Sequence, residues 1–209
     1  MHIPDGFVAP HIYIPSYMVF TLLFAKALKE FKEVFEEKSL PYLATLTAFA
    51  FIISSVSLPL PGGTSVHGLG VALLSLLFGP WTAFICISLV LFLQVVLLGE
   101  GGISTYAINS LCMGFVGAFS AFFIHRLFKK GSFSLFLSGF ASTLLSALML
   151  SILLGIHPYL FKDERGNPLY FPYSFKVVIP ALLIPHILTG VGEGLLCLFL
   201  YEPLRRRLE

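Results

Sequence analysis

The chain has 209 residues, of which 57% are hydrophobic and only 11% carry a charged side chain. Because soluble domains carry about a quarter charged residues, this composition excludes a soluble protein and indicates an integral membrane protein. The net charge of +2 says little by itself, and we expect membrane lipid rather than nucleic acid around the molecule.

Seven apolar segments are predicted to cross the membrane as α-helices, so the fold class is an all-α membrane bundle. They cover approximately residues 15–28, 41–58, 68–79, 81–98, 105–127, 133–154 and 176–201. The third segment is short, since Gly79 and Pro80 break the helix. No soluble domain or tandem repeat is visible. We therefore expect one transmembrane domain, made of an N-terminal tail (1–14), a helical bundle (15–201) and a basic cytoplasmic tail (202–209).

Lysine and arginine positions predict how the chain crosses the membrane, because these residues concentrate in cytoplasmic loops. If the C-terminus is inside, ten of the thirteen Lys and Arg residues lie on the inner side. Only Lys162, Arg165 and Lys176 then lie outside. Seven crossings place the N-terminus outside, on the same face as the connection that ends at His67. We expect a multi-pass protein of the inner (cytoplasmic) membrane.

The first two residues can chelate a metal. The amino nitrogen of Met1, the backbone nitrogen of His2 and the His2 ring Nδ1 can close two chelate rings on a single cation. Three nitrogens in one plane leave a fourth position open, and tetragonal nitrogen sites suit Ni(II) or Cu(II). The N-terminus lacks the features of a secretory signal, so we expect Met1 to be retained. The alternative is that a histidine lies near the start of the chain by chance.

His67 is the candidate for the fourth ligand. It follows a stretch of proline and glycine at the mouth of the third segment, where its ring can point into the bundle. A neutral imidazole opposite three nitrogens completes a planar set of four. The alternative is an interfacial histidine that caps the start of a helix.

Several motifs together resemble the substrate-binding membrane subunits of energy-coupling-factor nickel and cobalt transporters. These motifs are Met1-His-Ile-Pro-Asp-Gly-Phe7, Gly79-Pro-Trp81, Gln94, Leu98-Gly-Glu-Gly-Gly102, Asn109, Met113-Gly114 and the segment from His186 to Gly194. The resemblance runs over essentially the whole chain. It implies that the N-terminal amino and amide nitrogens, the His2 ring and His67 hold the metal, and that the tail is inserted among the helices.

The resemblance also implies partners: a transmembrane coupling subunit, cytosolic ATPase subunits and a small accessory membrane subunit. The chain has no phosphate-binding loop of the G-x-x-x-x-G-K-[ST] type. We therefore expect a transport subunit rather than an enzyme, with ATP hydrolysis carried out by the partners. Two residues depart from the family pattern, since Glu100 replaces an expected Asp and Cys112 replaces an expected second Asn.

Other polar residues within or beside the spans are further candidates, because buried polar groups are costly in lipid and tend to face the bundle. Gln94 and Asn109 either hold the tail and orient an imidazole or form plain interhelical hydrogen bonds. His186 and Glu193 lie two helical turns apart on one face. They are candidates for metal binding or proton relay, or for a structural hydrogen-bonded pair or a partner contact. Three roles are open for Asp5, since it can belong to a turn, cap a helix or counter the metal charge.

Several functional interpretations remain open. The favoured one is the capture subunit of an ATP-driven importer with Ni(II) as the transported substrate and no organic cofactor. The resemblance implies nickel rather than Co(II), because the cobalt branch of the family usually has Met at the position of Pro4. A cobalt-uptake subunit for cobalamin synthesis is the alternative within the same family. An intramembrane metalloenzyme using His186 and Glu193 has no H-E-x-x-H motif to support it. A stand-alone channel or carrier is the remaining interpretation.

Overall fold

Helices form most of the protein. The computed structural model describes residues 1–34, 37–60, 64–128 and 131–208, so residues 61–63 of the proline and glycine stretch and Glu209 of the predicted basic tail lie outside the described residues. The helices are α1 (Pro10–Val34), α2 (Leu40–Ser55), α3 (Val71–Phe78), α4 (Pro80–Leu98), α5 (Tyr106–Leu127), α6 (Ser132–Gly155), α7 (His157–Leu160) and α8 (Phe175–Leu208). Two antiparallel strands, β1 (Leu58–Leu60) and β2 (Thr64–Val66), lie between α2 and α3.

The seven predicted apolar helices are present, and α7 is one additional turn. Among the residues that the structure describes, five helices are long and apolar enough to cross a membrane, namely α1, α4, α5, α6 together with α7, and α8. Helix α2 has 16 residues, whereas α3 has eight residues and extends about 12 Å at ~1.5 Å per residue. Because a hydrocarbon core is about 30 Å thick, α3 does not cross it alone.

The elements differ from the predicted ones at several bounds and by one added hairpin. Helix α1 begins at Pro10 rather than near Pro15, since proline at the first helical position has no N–H that needs a partner. Helix α8 continues to Leu208 through the residues predicted as a tail. The β1–β2 hairpin has no counterpart among the predicted elements, because Pro59 inside β1 is unusual for a strand.

A sharp reversal separates α3 from α4. Gly79 has a φ of +84°, a conformation that residues with a Cβ avoid, and Pro80 follows at the start of α4. The start of α3 and the end of α4 therefore lie at the same end of the bundle. The N-terminal tail lies at this end of the bundle, next to Gln94 at the end of α4.

The bundle combines close helix packing inside with an apolar outer surface. A Cβ on Gly139 of α6 would collide with the backbone of Glu193 on α8, so glycine allows the two backbones to approach closely, as in other membrane bundles. On the outside, Leu22 and Leu188 are 73% and 77% exposed. Apolar side chains exposed on spanning helices are expected to contact lipid.

Candidate metal centre

The N-terminal tail, residues 1–9, is inserted into the bundle. Met1, His2 and Ile3 are 1%, 5% and 0% exposed. The side chain of Asn109 on α5 bonds to both backbone groups of Ile3: the Ile3 N–H donates to Asn109 Oδ1 at 3.0 Å, and Asn109 Nδ2 donates to the Ile3 carbonyl at 3.1 Å. The Thr105 hydroxyl donates to the same carbonyl at 2.5 Å. These bonds satisfy backbone groups that would otherwise be buried without partners.

The outer part of the tail is held at two further points. The Asp5 carboxylate accepts hydrogen bonds from the backbone N–H groups of Ile103 and Ser104 at 3.1 and 2.8 Å, and from the Ser104 hydroxyl. The Ala9 N–H donates to His157 Nε2 at 3.2 Å. A Cβ on Gly102 would collide with Asp5, so the glycine pair before Ile103 leaves room for the tail. Asp5 therefore anchors the tail to the loop between α4 and α5.

A chain of directed hydrogen bonds fixes the tautomer of His2. The Ser54 hydroxyl donates to the Ala50 carbonyl at 2.6 Å, and Gln94 Nε2 donates to Ser54 Oγ at 2.9 Å. This leaves Gln94 Oε1 as the acceptor facing His2 Nε2, at 3.1 Å. Because the proton must then be on Nε2, the lone pair is on His2 Nδ1. Within the described chain, Nδ1 is buried and has no hydrogen-bond partner.

His67 presents the complementary nitrogen. Its Nδ1 lies 2.9 Å from the Gly68 carbonyl, which can only accept a hydrogen bond, so Nδ1 carries the proton. Its Nε2 is buried without a partner among the residues described. The His67 ring is 2% exposed and stacks on the His2 ring, with centroids 4.6 Å apart and planes inclined by 17°. The structure therefore brings together two imidazoles, each with one free lone pair.

The Met1 amino group completes this cluster. It donates hydrogen bonds to the carbonyl and the hydroxyl of Ser65 on β2. Burial lowers the pKa of the amine to about 4, against a smaller opposing effect of the Glu100 charge, and it lowers the pKa of His2 to about 3. Burial also holds the pKa of His67 well below its usual value. All three groups are therefore neutral at neutral pH, which is the protonation state in which nitrogen binds a metal.

Helix geometry positions the two amide side chains that contact the tail. Gln94 begins a π-helical stretch, Gln94–Leu98, at the end of α4, and Asn109 directly precedes another, Ser110–Val116, in α5. The wider π turn changes which side chains face the bundle and often occurs at functional sites. Both amides are almost fully buried. The position predicted for an additional amide, Cys112, lies within the second stretch and is a buried free thiol.

His186 and Glu193 do not form a pair with each other. Glu193 Oε1 accepts hydrogen bonds from the backbone N–H groups of Leu69 and Gly70 at 2.5 and 2.8 Å. It thus holds the irregular segment that carries His67, and a carboxylate is favourable at the start of α3. His186 Nδ1 instead bonds to the Leu182 carbonyl of its own helix at 2.6 Å.

Four residues at the site were not among the predicted contacts of the tail. They are Ser65, Glu100, Thr105 and His157. Glu100 lies in the glycine-rich motif, and its Oε2 is 3.6 Å from His2 Nδ1. Ser65 accepts two hydrogen bonds from the Met1 amine, Thr105 donates one to the Ile3 carbonyl, and His157 accepts one from the Ala9 N–H. Contacts of this kind leave no pattern in the sequence.

The arrangement suits a small cation with nitrogen ligands. In the part of the chain that the structure describes, no three His, Cys, Asp or Glu side chains are grouped so that they could hold a metal ion. A metal here would therefore need the amine, and the His2 backbone nitrogen once deprotonated, in addition to the two imidazoles. Such a set has four nitrogens from only three residues.

Loss of the Asn109 side chain tests how firmly the tail must be held. In Asn109→Ala the Ile3 N–H remains buried without an acceptor, which costs about 1–3 kcal/mol. We expect metal affinity to fall roughly 5- to 150-fold, since 1.4 kcal/mol corresponds to a factor of about ten. Isothermal titration with Ni(II) measures this, and Asn167→Ala in the exposed loop before α8 is the matched control. Equal affinities of the two variants would show that this clamp is not needed.

Comparison with known proteins extends these observations. The family described as the cobalt uptake substrate-specific transmembrane region matches residues 2–208. The crystal structure of a truncated transition metal transporter superimposes with a TM-score of 0.94 and 35% sequence identity, covering 99% of each chain. The chain is also 30% identical to a cobalt transport protein of Acetoanaerobium sticklandii, over 97% of this chain and 83% of that protein.

Two further relatives are fused proteins. A fused nickel transport protein of Rhodobacter capsulatus is 31% identical over 92% of this chain, which spans 58% of its length. A probable fused nickel transport protein of Lactiplantibacillus plantarum is 33% identical over 99% of the chain, which spans 65% of its length. The chain thus spans less than two thirds of either. The match of the family over residues 2–208 means that the chain belongs to the family of cobalt uptake substrate-specific transmembrane regions.

Proposed function

We propose that the protein is the substrate-capture subunit of an ATP-driven importer for Ni(II), with Co(II) as the alternative ion. The observation that carries this proposal is the pair of buried, partnerless imidazole nitrogens, His2 Nδ1 and His67 Nε2, next to the buried amine of Met1. Buried polar atoms in folded proteins normally have partners. Two such nitrogens in one cluster, beside a buried amine, indicate a ligand that the protein is built to receive.

The ligand set favours a late transition metal. The amine, the deprotonated His2 backbone nitrogen, His2 Nδ1 and His67 Nε2 would form a planar set, with the amide proton released to solvent. Mg²⁺ and Ca²⁺ prefer oxygen ligands, and Zn²⁺ prefers tetrahedral geometry. Tetragonal nitrogen sites suit Ni(II). Names of relatives include both nickel and cobalt transport proteins, and the planar geometry favours nickel.

In this proposal the protein crosses the cytoplasmic membrane several times, with its N-terminus outside and its C-terminus inside. It is supported by the excess of Lys and Arg on the proposed inner side, and by the contact of Met1 with Ser65, which puts the tail and the His67 connection at one end of the bundle. Under this proposal residues 1–209 form a single transmembrane domain, and the bound ion faces the outside.

The partners in this proposal are a membrane coupling subunit, cytosolic ATPase subunits and a small accessory membrane subunit. The fused nickel transport relatives support it, because each extends beyond the part that this chain matches. The chain has no phosphate-binding loop of its own. A stand-alone carrier would import nickel in a cell without an associated ATPase, whereas a capture subunit would not. An enzyme using His186 and Glu193 is not favoured, since Glu193 is engaged with the α3 start.

Titration of the protein with its native N-terminus tests the proposal. We expect isothermal titration to give one tight site for Ni(II), and loading to give the yellow, diamagnetic form of planar Ni(II). Co(II) is expected to bind the same site, and the order of the two affinities identifies the preferred ion. A paramagnetic octahedral spectrum, or tighter binding of Zn(II) than of either ion, would contradict the nitrogen set.

Metal affinity is expected to fall as the pH falls from 8 to 5. The Met1 amine has a pKa near 8.0 when free and about 4 when buried, and the His2 values are 6.5 and about 3. Below the higher pKa of each group, the released tail binds protons that the inserted tail does not, so acid favours release. At pH 5 this amounts to roughly 4 kcal/mol for the amine and about 2 kcal/mol for His2. Titrations at successive pH values measure the effect, and a pH-independent affinity would contradict it.

A further inference from the structure

A cavity of about 240 Å³ lies beside the candidate metal centre. It is bounded by the tail, the β1–β2 hairpin and the loop after α4, and its lining includes His2, Ser57, Ser65 and Glu100. At roughly 30 Å³ per water molecule, the cavity has room for a small cation together with several of its waters. His2, whose Nδ1 is buried and without a hydrogen-bond partner, forms part of its wall.

Glu100 is the one acidic side chain among the described residues that line this cavity. The Ser57 hydroxyl donates to Glu100 Oε1 at 2.9 Å, which fixes the orientation of the carboxylate. Glu100 Oε2 is buried, has no hydrogen-bond partner in the described parts of the chain, and lies 3.6 Å from His2 Nδ1. An unpartnered carboxylate oxygen is thus aimed at the nitrogen that would hold the metal.

Charge and ligand chemistry give this carboxylate a role distinct from that of the nitrogens. A divalent cation arrives hydrated, and a carboxylate oxygen can replace one of its waters. A cavity lined by negative charge with low-dielectric walls raises the local cation concentration and the association rate. The nitrogens can then displace the remaining waters, since late transition metals prefer them.

We infer that Glu100 captures the hydrated divalent cation in this cavity and passes it to the nitrogen set at Met1, His2 and His67. The inference rests on the proposed function of that set. It concerns the route by which the ion arrives, so it is tested by association kinetics. The equilibrium affinity tests the nitrogen set itself.

Stopped-flow mixing of Ni(II) with the full chain, using a metallochromic dye as the readout, tests the inference. We expect Glu100→Gln to lower the association rate constant about tenfold or more, with a much smaller change in the dissociation rate. Glu164→Gln is the matched control, because Glu164 is exposed in the loop before α8 and carries the same charge. Glu100→Asp retains the charge and is expected to recover most of the wild-type rate.

Ionic strength provides a second measurement that does not depend on the glutamine variant. The wild-type association rate is expected to fall with added salt, and more steeply than the rate of Glu100→Gln. Thermal unfolding of each variant checks that the fold is retained. An unchanged association rate in Glu100→Gln would overturn the inference and leave the nitrogen set standing. Absence of Ni(II) binding by the wild-type protein would overturn the proposed function and the inference together.

Discussion

Acetylation of the Met1 amine is expected to abolish tight nickel binding while the bundle stays folded. The modification converts the amine into an amide, which removes the amine ligand and the chelate ring that it closes with the His2 backbone nitrogen, two ligands in all. Met1 is only 1% exposed, so an added acetyl group has no room to insert beside it. Four-ligand protein sites bind structural metals with roughly 10–16 kcal/mol, or about 2.5–4 kcal/mol per ligand. Loss of two ligands therefore weakens binding by about 10⁴-fold or more.

Isothermal titration of the acetylated protein measures this effect, with the unmodified protein as the control. The thermal unfolding temperature of the two proteins without metal checks the fold. Nickel binding that survives acetylation would mean that the amine is not a ligand.

His67→Ala is expected to weaken nickel binding by about 10² to 10³-fold, which corresponds to one ligand. The replaced ring is fixed by the Gly68 carbonyl and by stacking on His2. Alanine leaves a cavity that water can enter, and a water molecule is a weaker ligand for Ni(II) than an oriented imidazole. The other three nitrogen ligands belong to Met1 and His2, and this substitution does not remove them.

The control for His67→Ala is His11→Ala, which removes an exposed histidine of α1. Comparison of the two variants by titration separates loss of a ligand from general loss of histidine. His2→Ala is expected to be at least as severe as His67→Ala, because Nδ1 also closes the second chelate ring. Equal affinities of His67→Ala and the wild-type protein would remove His67 from the proposed site.

Hydropathy alone predicts most of the fold. Runs of apolar residues identify the helices because a membrane span needs about twenty of them, and Gly79 with Pro80 marks the short third helix. The β1–β2 hairpin could not be predicted, since Pro59 inside β1 is unusual for a strand. The start of α1 at Pro10 follows from a local rule, but Pro15 inside the helix conceals it.

Some residues of the candidate site can be predicted from the sequence, whereas their contacts cannot. His2 is suggested by its position behind the amine, and Gln94 and Asn109 by the cost of amides in a membrane. The structure adds what each of these side chains contacts. The contact of Glu193 with the backbone of Leu69 and Gly70 joins residues more than 120 positions apart. No local pattern encodes such a contact.

The nature of the metal centre is tested most directly by X-ray absorption at the nickel edge, on protein with its native N-terminus and one equivalent of Ni(II). We expect four nitrogen ligands in one plane, with the outer-shell scattering of two imidazoles, one of which is lost in His67→Ala. An octahedral site dominated by oxygen ligands, or a spectrum that His67→Ala leaves unchanged, would contradict the proposed set of amine, amide and two imidazole nitrogens.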